Sequence, residues 1–390
     1  MKTLYCALAI DISGSHGGAT HVREVTNGLA ALGHEVRVIA RGTAAHRLHE
    51  RLKVHVTYLT APPKLAWAAT PRVRKIVNDW QPDIVIERFY TFAGGGMLAA
   101  HTNNIPAILE VNAPVFDPPG SAKDRVDWWI GHAMRRWAIQ QCRWADAIVT
   151  PLATTVPTAV RDKVLPLQWG ANVRQFDPAR FPRAGVEART LRRRYGILPD
   201  APVVGFVGSF RAWHGAAEAI RAFDRVRVQI PDATLLLVGD GPERQRLERA
   251  VRDSSQPGIV FTGAAPYHEV PPHLALCDVA VAPFVPSLHA PLRSFGFYWS
   301  PLKVFEAMAM AVPVVTTAVA PLTEIVRGAG IAVPERDTGA LASAIVDLLR
   351  DEERRAAMGA IGRARVVAEW SWEAHCRQLD TLMTTLVMRR

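Results

Sequence analysis

Four cysteines in 390 residues, Cys6, Cys142, Cys277 and Cys376, stand far apart and never in a paired spacing. That excludes a disulfide framework and a cysteine zinc site, and leaves reduced thiols or core packing. Long apolar runs are missing too. None reaches the ~18 residues of a membrane-spanning helix, and the richest stretch, Ala307 to Leu322, is interrupted by Pro313 and Pro321. Met1-Lys2-Thr3 runs straight into the alternation LYCALAI. No leader and no membrane span are therefore expected, and the reading is a cytoplasmic protein. There is no Asp-x-Asp motif for a divalent cation, so no metal and no cofactor are expected. No helix-turn-helix or aromatic–basic sheet motif appears, so nucleic acid is not an expected partner.

What is present is ordinary for a globular chain: 49% hydrophobic and 21% charged residues. The length suggests two or three domains. Charge is unevenly spread. Residues 1–195 hold 26 Lys+Arg against 15 Asp+Glu, an excess of +11, while residues 196–390 balance at −1. Two halves with different partners are one explanation. Solubility and a high arginine content are the other.

The first half alternates strands with helices. Residues 3–10 read as a buried strand, followed by the Gly/Ser-rich segment Asp11 to Val22. A helix then carries Val22, Val25, Leu29 and Leu32 at helical spacing and stops at Gly33. Val36 to Ala40 is the next strand. Asp83 to Glu87, the run AILEV and Ala145 to Thr150 add more, with a Gly/Ala-rich helix over Phe92 to His101. This rhythm predicts a parallel sheet with ligands at the carboxyl ends of its strands. Glu87, Arg88, Glu110 and Asn112 fall at such ends. Asp124 to Trp144 reads as one helix with four tryptophans and four arginines. It suits a membrane interface, or a core face whose arginines fold over the rings.

Residues 174–202 are Pro- and Arg-rich and read as a linker with a short helix. The pattern then repeats: VVGFVGSF ends at Gly208, a helix spans Ala216 to Gln229, and TLLLVG ends at Gly239. Strands at Ile259–Thr262 and Asp278–Pro283 follow. The expected fold class is α/β, two tandem Rossmann-like domains with a cleft between them. The expected boundaries are an N-terminal domain over 1–175, a linker over 176–202 and a C-terminal domain over 203–370. A terminal helix at about 371–390 should pack back on the first domain.

The densest chemistry lies in FGFYWSPLKVFEAMAMAVPVVTT, Phe295 to Thr317. Ser300 suits an N-cap and Pro301 the first helical position. Such a start aims free N–H groups and positive potential at a ligand. Lys303 and Glu306, three apart, share a face. From spacing alone they fit a phosphate and a diol, or equally a surface ion pair. Arg211, His214 and Lys303, with glycines at 208, 239 and 263, converge on a diphosphate that would leave with negative charge. Gly17 and Gly18 open the first domain's helix where a phosphate or sugar could approach the backbone.

Taken in order, GGATHVREVTNGLAALGHEV, VGSFRAWHG, VGDGPE, FTG, CDVAVAP, SPLKVFEAMAMAVPVVTT and the Trp370-Ser371-Trp372 helix resemble the retaining GT-B-fold glycosyltransferases, close to glycosyltransferase family 4. The resemblance covers essentially the whole chain. It implies transfer of a sugar from a nucleotide-diphosphate sugar to a hydroxyl acceptor, in polysaccharide, glycolipid or other glycoconjugate synthesis. It implies that Glu306, the second Glu of the family's E-x7-E motif, binds the donor ribose and that Lys303 contacts the diphosphate. Gly17 and Gly18 would line the sugar and phosphate side, with Gly208 and Ser300 nearby, and Gly263 would cradle the base.

The sequence departs from the family at named positions. Tyr298 stands eight residues before Glu306, where the family has its first Glu. Ser209 and His214 replace the usual Arg and Lys, so Arg211 is the candidate replacement cation. Asn112 stands where a His is usual, leaving Glu110 or His21 as candidate bases, or none. Two other readings remain: a degenerate nucleotide-binding scaffold for another glycosyltransferase, and a sugar-nucleotide epimerase. The expected acceptor is an anionic lipid-linked molecule or polysaccharide at a membrane face, or a small soluble molecule.

Overall fold

The computed structural model describes residues 1–13, 17–42 and 54–389. Gly14, Ser15 and His16 of the Gly/Ser segment lie outside the described residues. The chain forms two compact units, each built on a wholly parallel sheet. Unit 1 comprises Met1–Trp169, Ser294–Ser300 and Trp372–Arg390; unit 2 comprises Gly170–Arg293 and Pro301–Ser371.

Unit 1 has strands β1 (Lys2–Asp11), β2 (Glu35–Arg41), β3 (His55–Leu59), β4 (Ile84–Arg88), β5 (Ala107–Glu110), β6 (Ala147–Thr150) and β7 (Val164–Pro166). Their order is β3-β2-β1-β4-β5-β6-β7. The order reverses between β1 and β4, the point where such sheets bind ligands. The short strands β3 and β7 escape sequence reading. Helices α1 (Gly17–Ala31), α2 (Thr70–Trp80), α3 (Gly95–Thr102), α4 (Ala122–Trp129) and α5 (Ala133–Trp144) cover the sheet. On one layer α2 packs on α3, and α3 on α5; α1 packs on the terminal helix Trp372–Met388.

The α1–terminal helix contact depends on Gly28. A Cβ there would stand 2.4 Å from Cys376 Sγ. Gly28→Ala is expected to destabilise by about 1–3 kcal/mol through overpacking, measured by urea unfolding. All four cysteines are free and buried, as their spacing predicts.

Two helix expectations need correction. The α3 helix starts at Gly95, not Phe92, because the Glu87 carboxylate takes the first free N–H groups. It accepts from Gly94 (2.9 Å) and Met97 (2.7 Å), and Gly94 turns at φ 100°. Burial still pushes Glu87 up to about 7, against the pull of those backbone bonds. Glu87 is thus a buried helix cap. The single helix expected over Asp124–Trp144 is two helices, because Gly131 (φ 63°) and His132 (φ 59°) turn left-handed between them. The tryptophans divide accordingly. Trp137 Nε1 donates to the Ala93 carbonyl (2.9 Å) and Trp144 stacks on His101, whereas Trp128 and Trp129 stay outside.

Unit 2 has strands β8 (Val203–Val207), β9 (Thr234–Val238), β10 (Ile259–Gly263), β11 (Val279–Ala282), β12 (Val314–Thr317) and β13 (Gly330–Val333). Their order is β10-β9-β8-β11-β12-β13, reversing between β8 and β11. Residues 174–202, expected as a linker, belong to unit 2 and carry the helix Val186–Arg194. Its arginines leave with it. Unit 1 holds 22 Lys+Arg against 15 Asp+Glu, a net +7, smaller than the +11 of the first half.

Ser294–Ser300 group with unit 1, although the sequence places them in the second domain. Hydrogen bonds explain it: Thr154 Oγ1 donates to the Phe295 carbonyl (2.5 Å), and the Trp169 N–H donates to Ser300 Oγ (2.8 Å).

Candidate active site

In unit 2 the reversal point is floored by backbone. Gly208, Gly239 and Gly263 follow or end neighbouring strands, all with positive φ. The Gly208 N–H donates to the Val238 carbonyl, and the Gly239 N–H to the Gly263 carbonyl (both 2.9 Å). A Cβ on Gly239 would stand 1.9 Å from the Gly208 carbonyl oxygen. Only glycine allows these strand ends to approach so closely.

Lys303 lies against this floor. Its Nζ is 2.8 Å from where a Gly208 Cβ would be. It faces the rings of Phe206 on β8 and Phe284 just past β11, at 4.4 and 4.9 Å from their centroids. The ammonium therefore sits at the reversal point itself. It is buried and makes no hydrogen bond among the described residues. A surface ion pair with Glu306 is thereby excluded. Burial draws Lys303 down to about 7, while Glu306 opposes the shift. Glu306 is buried and pushed up to about 7 by desolvation, tempered by the Tyr267 hydroxyl bond and by Lys303. Tyr267 is a partner that sequence reading missed.

The helix start differs from expectation. The helix runs Leu302–Ala309, with Pro301 as N-cap and no side-chain cap. Ser300 is not the cap, because its hydroxyl is held by Trp169. His214 Nδ1 donates to the Ser209 carbonyl (3.0 Å). Burial, with Lys303 and Arg211 nearby, lowers His214 to about 3, so it is neutral and adds no cation. Arg211 is exposed, with its guanidinium 5.4 Å from the Trp213 ring. Gly263 abuts Arg244, whose guanidinium pairs with Asp240 and Glu248.

In unit 1, Gly17 and Gly18 form the first turn of α1, and a Gly17 Cβ would rest 3.6 Å from the Trp169 ring. Trp169 Nε1 donates to Asn112 Oδ1 (2.7 Å). Indole nitrogen can only donate, so the Asn112 amide is oriented with Nδ2 outward from that bond. Nδ2 is buried and has no hydrogen-bond partner among the described residues, leaving a hydrogen-bond donor rather than a base. Glu110 and His21 are each 1% exposed. The Tyr5 hydroxyl donates to Glu110 Oε2, and burial raises Glu110's pKa. His21 stacks on Trp169 at 4.4 Å and on Trp372 at 5.4 Å. Burial, Arg88 and His375 lower its pKa. Both side chains are enclosed, and their free atoms His21 Nε2 and Glu110 Oε1 are as buried as Asn112 Nδ2. His21 supports the Trp169 ring by stacking on it. Tyr298 is buried in unit 1 and edge-on to Trp299.

His21, Glu110 and His375 each offer one ligand-type atom within 4.8 Å of the others, and His21 Nε2, Glu110 Oε1 and His375 Nε2 make no hydrogen bond among the described residues. Two hydrogen bonds fix their protons. Arg88 Nη1 donates to His21 Nδ1 (2.5 Å), so neutral His21 carries its proton on Nε2. His375 Nδ1 donates to the Gln168 carbonyl (2.8 Å), so its Nε2 is an acceptor. One donor and two acceptors complement a hydroxyl or a water better than a cation, which the Arg88 charge would also repel. Tyr5, Trp169 and His375 are further residues that sequence reading missed.

Two Rossmann-like, wholly parallel-sheet units in one chain, one of them backbone-floored and lysine-bearing, define a GT-B-type glycosyltransferase fold. The glycosyltransferase from Rickettsia africae ESF-5 shares that fold, with a TM-score of 0.76 at 16% identity over 100% of this chain and 99% of that one. Residues 201–351 match the family model described as glycosyl transferases group 1, and residues 15–162 that described as glycosyltransferase family 4. The chain belongs to this family of glycosyltransferases.

Among characterised relatives is the GDP-mannose-dependent monoacylated alpha-(1-6)-phosphatidylinositol monomannoside mannosyltransferase of Corynebacterium glutamicum. It is 33% identical over 218 residues, 55% of this chain and 54% of that protein. The 2-deoxystreptamine glucosyltransferase of Streptomyces kanamyceticus is 28% identical over 293 residues, 71% of this chain and 70% of that protein. The match thus spans about half the length of the mannosyltransferase relatives.

Proposed function

We propose that the chain transfers a hexose or related sugar from a nucleotide-diphosphate sugar to a hydroxyl acceptor, with retention at the anomeric carbon. The observation that carries this reading is the buried, unpaired ammonium of Lys303 at the reversal point of unit 2. A cation kept out of water with no carboxylate bonded to it is costly. A diphosphate is the ligand whose charge would offset that cost. Glu306, three residues on, would take the ribose diol. Family membership supports the reading, as do the relatives named as a GDP-mannose-dependent phosphatidylinositol monomannoside mannosyltransferase and a 2-deoxystreptamine glucosyltransferase.

In the proposed reaction the bond from the anomeric carbon to the β-phosphate oxygen breaks. A bond to the acceptor oxygen forms on the same face, and the acceptor proton passes to the departing phosphate. Lys303 offsets the charge developing on that phosphate. No protein base is required, in keeping with the enclosure of Glu110 and His21. The product belongs to glycoconjugate or polysaccharide synthesis, made on the cytoplasmic side. Mass spectrometry with a panel of nucleotide sugars, with and without a lipid extract, tests the reading. A glycosylated acceptor is expected. Binding without turnover would indicate a scaffold, and a sugar nucleotide altered without acceptor an epimerase.

Binding should also move a proton. Above pH 7 the free protein holds Lys303 largely neutral, whereas a bound diphosphate favours the ammonium. Nucleotide binding at pH 8 is then expected to take up about one proton, and affinity to weaken by up to ~10-fold per pH unit above 7. Calorimetry in buffers of different ionisation enthalpy measures the uptake. Lys303→Met should abolish it.

A further inference from the structure

We propose that the turn between α4 and α5 is a membrane-interface anchor, whose apolar tip enters the headgroup region of an anionic bilayer. The tip is a run of exposed large side chains: Val126 at 54%, Trp128 at 65%, Trp129 at 81% and Ile130 at 50% of full exposure. Isolated exposed apolar residues are normal, but a contiguous apolar patch marks a contact surface. Tryptophan in particular favours the boundary between water and acyl chains.

The tip is built, not frayed. Ser121 caps α4 by accepting the Asp124 N–H (3.2 Å). Asp127, buried at the bend, accepts the Met134 N–H (2.8 Å) and the Arg135 N–H at the start of α5. Arg136 Nη2 donates to the Gly131 carbonyl (2.7 Å) across the turn. These bonds hold Trp128, Trp129 and Ile130 outward on a fixed bend. The ordering entropy of an insertion loop is thereby already met in the free protein.

Charge selects the occupant. The same helical layer holds α2, α3 and α5 side by side. Its segments 61–80 and 117–144 carry nine Lys+Arg against four Asp. That is +5 of the unit's +7. Arg72, Arg74 and Lys75 on α2 and Arg125, Arg135 and Arg136 near the tip are exposed. A further exposed pair, Leu65 at 47% and Trp67 at 58%, directly precedes α2. Apolar tips within a cationic layer match an anionic lipid surface, where apolar insertion and headgroup attraction add. They match poorly a second copy of this chain, which would set +7 against +7. No described helix is long and apolar enough to cross a membrane, so the contact is peripheral. The proposal stands independently of the transfer reaction.

Co-sedimentation of the whole protein with phosphatidylcholine vesicles, with and without phosphatidylglycerol, tests it. Binding is expected to the anionic vesicles only, and to fall with added salt. Trp128→Ser/Trp129→Ser should weaken the partition at least ~10-fold, with an unchanged melting temperature because both rings are exposed. Arg72→Gln/Arg74→Gln/Lys75→Gln should weaken it by about 10²-fold at low salt. Protein left unsedimented by anionic vesicles at low salt overturns the proposal. So does equal sedimentation of parent and tryptophan variant. A dimer seen by light scattering and lost in that variant would assign the tip to a second copy instead.

Discussion

Lys303→Ala is expected to lower turnover by at least ~10²-fold, the scale of losing one preorganised charge stabiliser, while raising the melting temperature. The two halves of this result share one cause. In the free protein Nζ is buried against Phe206, Phe284 and Gly208 without a hydrogen bond. Keeping a cation there costs free energy that alanine or methionine would not spend. Functional sites commonly hold strain of this kind, and relieving it exchanges activity for stability. Lys303→Met, closer in volume, should give the larger gain in melting temperature. Lys303→Arg should not restore activity, because its planar fork cannot occupy the narrow space above Gly208. Near wild-type rates in Lys303→Ala with any accepted donor would remove the lysine from the reaction.

Gly239→Ala is the second large effect, and it falls on folding. The new Cβ would stand 1.9 Å from the Gly208 carbonyl oxygen, in a residue at φ 141°. Neither partner is a flexible side chain, so β8 and β9 must separate at their carboxyl ends. Left-handed strain of about 1–2 kcal/mol adds to overpacking of about 1–3 kcal/mol, a large share of a typical domain's stability. Unfolding in urea should begin several tenths of a molar earlier or more. Gly208→Ala is the informative contrast. Its Cβ would meet only the end of Lys303, 2.8 Å from Nζ, which can swing aside. That variant carries the same left-handed strain, at φ 142°, but no backbone clash, so it should lose less stability than Gly239→Ala and yet lose activity. Equal destabilisation by both substitutions would refute this division between floor and occupant.

Much of this architecture is written in local patterns. Strands β1, β4, β8, β9 and β12 are buried on both faces, so each is a plain apolar run closed by a polar or glycine residue, and sequence reading locates them well. The edge strands β3 and β7 elude it, since β7 has three residues and β3 is only half buried. The Asp124–Trp144 run kept its helical period across Gly131 and His132, so nothing short of the backbone shows the bend.

The site was legible by residue type and hidden in its state. Spacing put Lys303 and Glu306 on one face. Their burial depends on Phe206, Phe284 and Tyr267, which come from other strands and loops. Ser300 has the chemistry of an N-cap, but a backbone N–H distant in sequence claims its hydroxyl first. The same holds for Asn112, whose amide orientation follows from Trp169, within a stretch that has no period of its own. Tertiary partners decide protonation, tilt and access, and one sequence does not print them beside the residue they govern.

The discontinuity of unit 1 has a consequence for how the protein is made. Its sheet is complete by Trp169, but the helix that packs on α1, with Cys376 Sγ close against Gly28, follows all of unit 2 in the chain and leaves the ribosome after it. Until Trp372–Met388 emerges, the apolar stripe of α1 lacks its cover. A chain truncated before that helix would keep every strand of unit 1 and still present a sticky, chaperone-binding surface. Nascent-chain maturation, rather than sheet formation, then sets when the first unit becomes native.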